Sequence, residues 1–189
     1  MQRFISLIHV GGDEVLSIGA NISRKIININ KNEISKEEFV DLVEVHKLSL
    51  YRFAKSILKN DIEVEDAISE SILKAYKNKH RLKNKESFKS WMMRIVSNEC
   101  YDLIKRKSRF DLRENLESLN LVHIDKEYSD LREIIDDLNE EFSSVLVLFY
   151  YEDMSIKEIS KVLEISEGTV KSRLSRAKSK LKVLLKEEV

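Results

Sequence analysis

The chain has 189 residues, and its 33 lysines and arginines balance 33 aspartates and glutamates, so the formal net charge is zero. Apolar residues make up 42%, enough for a packed core, while 35% charged residues point to a highly solvated surface. There is no proline, and the only glycines are Gly11, Gly12, Gly19 and Gly168; a β protein spanning residues 20–167 would need such residues at its turns, so the bulk of the chain is predicted all-α.

Residues 1–34 begin apolar, but Gly11, Gly12, Asp13 and Glu14 interrupt the run, and no convincing signal peptide results. This stretch is an N-terminal extension of unknown role. Ser35-Lys36-Glu37-Glu38 is a capping box, in which serine and glutamate satisfy each other's orphan amides. Behind it Phe39, Leu42, Val43, His46, Leu50, Phe53, Ala54 and Ile57 recur at helical spacing. Asn60-Asp61 ends that helix and caps the next, where Val64, Ala67, Ile68, Ile72, Ala75 and Tyr76 form a second stripe. Residues 78–87, "NKHRLKNKES", read as a polar loop. A third helix follows with Phe88, Trp91, Met92, Ile95, Val96, Leu103 and Ile104 inward, and these three helices can close one bundle over residues 35–108.

Residues 109–130 have weak periodicity and read as an acidic linker. The pattern returns with Ile134, Ile135, Leu138, Phe142, Val145, Leu146 and Phe149, giving a second small helical domain over residues 131–189. Within it Ser155-Ile156-Lys157-Glu158 is another capping box, opening a short helix with Ile156, Ile159, Val162 and Leu163 on one side. Small Ser160 lies where two helices would approach closely, and Ser166 caps a last helix whose Val170, Leu174, Ala177 and Leu181 face inward. The expected architecture is two small helical domains, the second carrying a helix-turn-helix.

Charge is distributed far less evenly than its sum suggests. Lys74, Lys77, Lys79, Arg81, Lys83, Lys85, Lys89, Arg94, Lys105, Arg106, Lys107 and Arg109 face only Glu86, Glu99 and Asp102 across residues 73–109; residues 111–141 are acidic; the C-terminal helix is basic again. A helix that enters the major groove needs short side chains as well as cations on its exposed face. Lys171, Ser172, Arg173, Ser175, Arg176 and Ser179 supply both, so this face is a candidate DNA-reading surface. Lysines neutralise phosphates, arginine can donate two bonds to a guanine edge, and serines permit close approach.

Cys100 is the single cysteine, which excludes an internal disulfide, fits a reducing compartment and reads as a small buried hydrophobe. His9, His46, His80 and His123 are scattered without metal-ligand spacing, and no apolar run approaches the length of a membrane span. A cytoplasmic protein without metal or cofactor is expected.

"MSIKEISKVLEISEGTVKSRLSRAKSKL" (154–181) is similar to the C-terminal domain of the bacterial extracytoplasmic-function sigma factors. "LYRFAKSILKNDIEVEDAISESILKAYKN" (50–78) and "SFKSWMMRIVSNECYDLIKRKSR" (87–109) resemble their N-terminal domain, in the right order. Two departures stand out: Glu164 where the family often has glycine at the helix-turn-helix turn, and Ser69 where it often has glutamine.

The resemblance implies an all-α subunit that binds core RNA polymerase and directs it to promoters, with no catalysis of its own. Ser166, Thr169, Lys171, Ser172, Arg173, Ser175, Arg176 and Ser179 would contact the −35 element. His80, Arg81, Lys83 and Lys85 in the loop, with Asn98, Lys105 and Arg106 on the third helix, would hold the opened −10 strand. Asp66 and Glu70 would meet the polymerase clamp, Trp91 would pack in the core, and Asp102 would make a local ion pair. An anti-sigma factor, commonly membrane-tethered, is the implied regulator, with no membrane insertion by this chain. An autonomous helix-turn-helix regulator would explain residues 154–186 but not 50–109. "GGDEV" (11–15) nearly spells the diguanylate cyclase signature, but only ten residues precede it, too few for the catalytic fold that contains the motif.

Overall fold

The computed structural model describes residues 34–82, 84–114, 135 and 138–187. Helix α1 spans Lys36–Ile57 and starts at the expected capping box: Ser35 Oγ accepts from the Glu38 amide at 3.1 Å, and the Glu38 carboxylate accepts from the Ser35 amide at 3.1 Å. Leu58 leaves the helix in an extended conformation, and Asn60 caps α2, Asp61–Lys77, by accepting from the Ile62 and Glu63 amides. Asp61 and Glu63 in its first turn and Lys74 and Lys77 in its last oppose the helix dipole at each end.

The polar stretch 78–87 holds two short 3₁₀ turns, Lys79–Arg81 and Lys85–Ser87. Helix α3 spans Phe88–Glu114 and so continues beyond residue 108, where the linker is expected to begin; most of that linker lies outside the described residues. Phe39, Phe53 and Phe88 are fully buried where the three helices meet. The rings of Phe39 and Phe88 meet edge-on at 5.7 Å, and Tyr76 of α2 meets Phe39 at 5.4 Å. This aromatic hub ties α1, α2 and α3 into one module. Trp91 packs half-buried beside Phe88, as expected from its place in the apolar stripe.

The second module has α4, Glu140–Leu146, then a π-turn at Val147–Tyr151, then α5, Ile156–Leu163, and α6, Glu167–Glu187. No strand is present among the described residues. The π-turn was not legible in the sequence. Its extra residue per turn sends the Glu152 amide back to the Val147 carbonyl at 3.1 Å, and Asp153 then reverses the chain with φ 53°.

The two modules pack on each other. Helix α1 lies against α4 and the π-turn, α3 lies against α5, and the buried apolar residues of both modules form one cluster. Among the described residues, no helix is long and apolar enough to cross a membrane.

Candidate nucleic-acid interface

The helix-turn-helix is built by three local devices. Ser155 Oγ accepts from the Glu158 amide at 3.3 Å while the Glu158 carboxylate accepts from the Ser155 amide at 2.9 Å. The same contacts hold the Glu158 carboxyl below its ordinary pKa, chiefly through the Ser155 hydroxyl. Next, Ser160 Oγ donates to the Ile165 carbonyl at 2.5 Å, tying α5 to the turn. Finally, Ser166 Oγ accepts from the Thr169 amide at 3.0 Å and caps α6. Replacing Ser155 with alanine removes one of two partners at the α5 terminus. We expect a loss of about 1 kcal/mol, read as a fall of a few degrees in melting temperature.

Glu164 stands at the turn with φ 54° and ψ 39°, the left-handed conformation that favours glycine. The family departure at this position therefore carries real backbone strain, on the order of 1 kcal/mol. What offsets it lies across the module boundary: the Arg94 guanidinium donates to Glu164 Oε1 from Nε at 2.8 Å and again from a terminal nitrogen.

Val170, Leu174 and Ala177 bury one side of α6, which leaves Lys171, Ser172, Ser175, Arg176 and Ser179 exposed on the other. The serines fold back onto their own helix. Ser172 Oγ donates to the Thr169 carbonyl at 3.0 Å and Ser179 Oγ to the Ser175 carbonyl at 3.1 Å. This exposed face is thus slim, with hydroxyl oxygens left as acceptors. Other polar residues of the helix are engaged within the module, among them Lys180, whose ammonium stands over the Phe142 ring at 4.7 Å. Thr169 Oγ1 lies 2.8 Å from Ser166 Oγ, Arg173 is bound to Glu141 at 2.8 Å, and Lys178 sits over the Tyr150 ring at 5.4 Å.

On the first module, Asp66, Glu70, Lys105 and Arg106 come together along one cleft of about 710 Å³ between α2 and α3. Glu99, buried at its floor, binds Lys74 and, at 3.1 Å, Arg106. Neither Lys74 nor Glu99 was singled out from sequence, although Glu99 is one of only three acids in the basic segment 73–109. Lys105 lies 3.9 Å from Asp102, the local pair expected there. Asn98, His80, Arg81 and Lys85 are exposed, Lys85 reaching Glu38 at 2.5 Å, while Lys83 lies outside the described residues. Cys100 is buried beside Glu99, and burial first, then that carboxylate, push its thiol up to about 12.

A helix-turn-helix module joined to a three-helix module with an acidic-and-basic cleft defines a class: a two-module helical protein built to read DNA. The comparisons with known proteins give that class a name. Residues 42–110 match the family model for Sigma-70 region 2, and residues 128–181 match that for Sigma-70, region 4. The sigma factor SigV of Bacillus subtilis is 28% identical over 164 residues, covering 85% of this chain and 98% of that protein. The ECF sigma factor SigW of the same organism is 27% identical over 184 residues, covering 88% and 97%. The fold matches the sigma factor RpoE of Bartonella quintana, solved with the anti-sigma factor NepR, at a TM-score of 0.67 and 22% identity over 79% of this chain and 98% of that one. CnrH, solved with the cytosolic domain of CnrY, matches at a TM-score of 0.59 and 24% identity over 82% and 92%. The chain belongs to the sigma-70 family, in its extracytoplasmic-function group.

Proposed function

We propose that this chain is an alternative sigma factor of the cytoplasm: it binds core RNA polymerase, carries it to a specific set of promoters and helps open the −10 element. The observation that supports this most is the slim, cationic face of α6, fully supported from behind by the α5 cap and the Ser160 and Ser166 bonds, on a chain whose other module carries a mixed-charge cleft.

In this reading Lys171, Ser172, Ser175 and Arg176 meet the −35 duplex, the lysine neutralising phosphate and the arginine donating to base edges. Arg173 and Thr169, being tied to Glu141 and Ser166, hold the helix in place. Asp66 and Glu70 face the polymerase clamp from one wall of the cleft. Asn98, Lys105 and Arg106, with His80, Arg81 and Lys85 from the 78–87 stretch, take the −10 strand as it unpairs, holding an extruded base and the backbone beside it. The domains are 35–114 for the polymerase and −10, since α3 runs to Glu114, then an acidic linker up to residue 130, and 131–189 for −35. Bond formation belongs to the polymerase, so the chain itself is not an enzyme. An anti-sigma factor, of the kind solved with RpoE, is the expected regulator.

The test is gel filtration of the purified chain with bacterial core polymerase, followed by transcription from the recovered fraction. Co-elution with new promoter-specific transcripts is expected. Specific DNA binding by the chain alone, with no association with polymerase, would instead indicate an autonomous regulator.

A further inference from the structure

Glu99 is a carboxylate on the floor of the cleft between α2 and α3, with 5% of its side chain exposed. Both of its partners are cations that reach solvent: Lys74 of α2, with 47% of its side chain exposed, and Arg106 of α3, with 57%. Glu99, Asp102 and Arg106 recur at intervals of three and four residues, so they share one face of α3. Side chains on a helix lean toward its N-terminus, which brings the Arg106 guanidinium back over Asp102 and Glu99. There Nε donates to the Asp102 carbonyl at 3.2 Å, and one terminal nitrogen donates to Glu99 Oε1 at 3.1 Å. The other terminal nitrogen has no partner among the described residues.

We infer that Glu99 is a positioning residue for the opened −10 strand: its buried carboxylate holds Arg106 at the lip of the cleft, with one terminal nitrogen left for a phosphate or a base edge. The inference rests on the sigma-factor reading above, in which Arg106 meets that strand. Stability does not explain an acid at this place. Taking a carboxylate out of water costs solvation that its cations only partly return, and an apolar side chain of similar volume serves a seam between helices as well or better. The same helix does use apolar residues at its other buried positions, Met92, Met93, Val96 and Cys100. What an acid alone supplies is a fixed anchor for a guanidinium. Arginine loses rotamer freedom when it binds a ligand, and one already held at two points loses less.

The neighbours of Arg106 in the basic run show that this anchoring is selective. Lys105 only approaches Asp102, at 3.9 Å, and Lys107 is drawn to Glu63 of α2. Arg106 is the one of the three tied to a buried carboxylate. Nor does Glu99 cancel the charge it positions. Lys74 shares the same carboxylate, so the cluster of one acid and two bases keeps a net positive charge at its rim, as a phosphate ligand requires.

The test is a cycle of full-length variants, Glu99→Leu, Arg106→Ala and the two combined, each assembled with bacterial core polymerase on a promoter from the transcription assay above. Promoter opening is read by permanganate reactivity of unpaired thymines, alongside melting temperature and co-elution with polymerase. Glu99→Leu should melt at or above the native temperature and keep polymerase binding, yet open the promoter roughly three- to tenfold less well, the penalty for ordering one long side chain only at binding. Arg106→Ala should lose more than Glu99→Leu. The double variant should lose no more than Arg106→Ala, because the carboxylate then has nothing to position. Should Glu99→Leu fail to fold, Glu99→Gln with its own Arg106→Ala double variant carries the same comparison.

Native opening by the Glu99 variant would overturn the inference, as would a further loss in the double variant. Equal losses in all three variants would make the pair a structural unit and nothing more. Lost polymerase binding in the Glu99 variant would assign the carboxylate to the clamp side through Lys74. Arg106→Ala opening the promoter as the native chain does would remove Arg106 from the −10 strand, and the inference with it, while the sigma reading stands. Absence of promoter-specific transcripts from the native chain would refute the sigma reading, and this inference would fall with it.

Discussion

Replacing Arg176 with alanine is expected to lower transcription from the chain's own promoters by about ten- to a hundredfold while core-polymerase association stays unchanged. Arg176 is exposed on the face of α6 proposed to read DNA, beside Ser172 and Ser175, which keep the surface low enough for close approach to a groove. No ion pair or hydrogen bond occupies it among the described residues. A guanidinium in that position can make a bidentate bond to a guanine edge, a contact that discriminates by about 1–3 kcal/mol. Because the side chain supports nothing in the module, the melting temperature should hold. Arg173→Ala is the contrast. Its guanidinium is bound to Glu141 on α4 and its side chain is only 19% exposed, so this change should lower stability along with transcription. Measuring transcription, melting and polymerase binding for both variants separates reading from scaffolding. Loss of polymerase binding in the Arg176 variant would mean that α6 meets polymerase and not DNA.

The parts of this fold that were legible in sequence are those set by neighbours close in the chain. Both capping boxes involve residues three apart, so Ser35–Glu38 and Ser155–Glu158 could be read directly, as could the 4-3-4 spacing of Val170, Leu174, Ala177 and Leu181. The turn at Glu164 was legible as a departure, because only the missing glycine marks a left-handed position. What escaped was set by contacts across the chain. Glu152 sits in "YYEDMS" and reads as one more solvated acid; its burial follows from a π-turn that no local pattern announces and from Arg52 and Lys89, 100 and 63 residues earlier. Arg106 shows the same limit. Its charge and place on α3 marked it for DNA, but nothing nearby said that it would also bind the buried Glu99 seven residues before it, together with Lys74 of another helix. One residue can then serve the cleft's structure and its ligand together, and a loss of activity at Arg106 does not by itself report a DNA contact.

Phe88→Ala is expected to cost about 3–5 kcal/mol, a large fraction of the stability of a domain this size, and Phe88→Leu under about 1.5 kcal/mol. Phe88 is fully buried at the first residue of α3. Its ring meets Phe39 edge-on at 5.7 Å, stacks on His46 at 5.9 Å and lies 6.1 Å from Trp91. Truncation to alanine leaves a void among three rings whose backbones belong to two long helices, and these cannot collapse together without moving α3. The consequence reaches function because the 3₁₀ turn Lys85–Ser87 runs directly into Phe88, so the stretch proposed to hold the −10 base is anchored by this ring. Denaturant unfolding of the two variants gives the stability difference. Transcription assayed below the alanine variant's melting temperature then shows whether the anchor also positions the loop. The leucine variant should keep both properties near native, since it refills most of the volume; a leucine variant as unstable as alanine would mean that ring-to-ring geometry, and not volume, holds the start of α3.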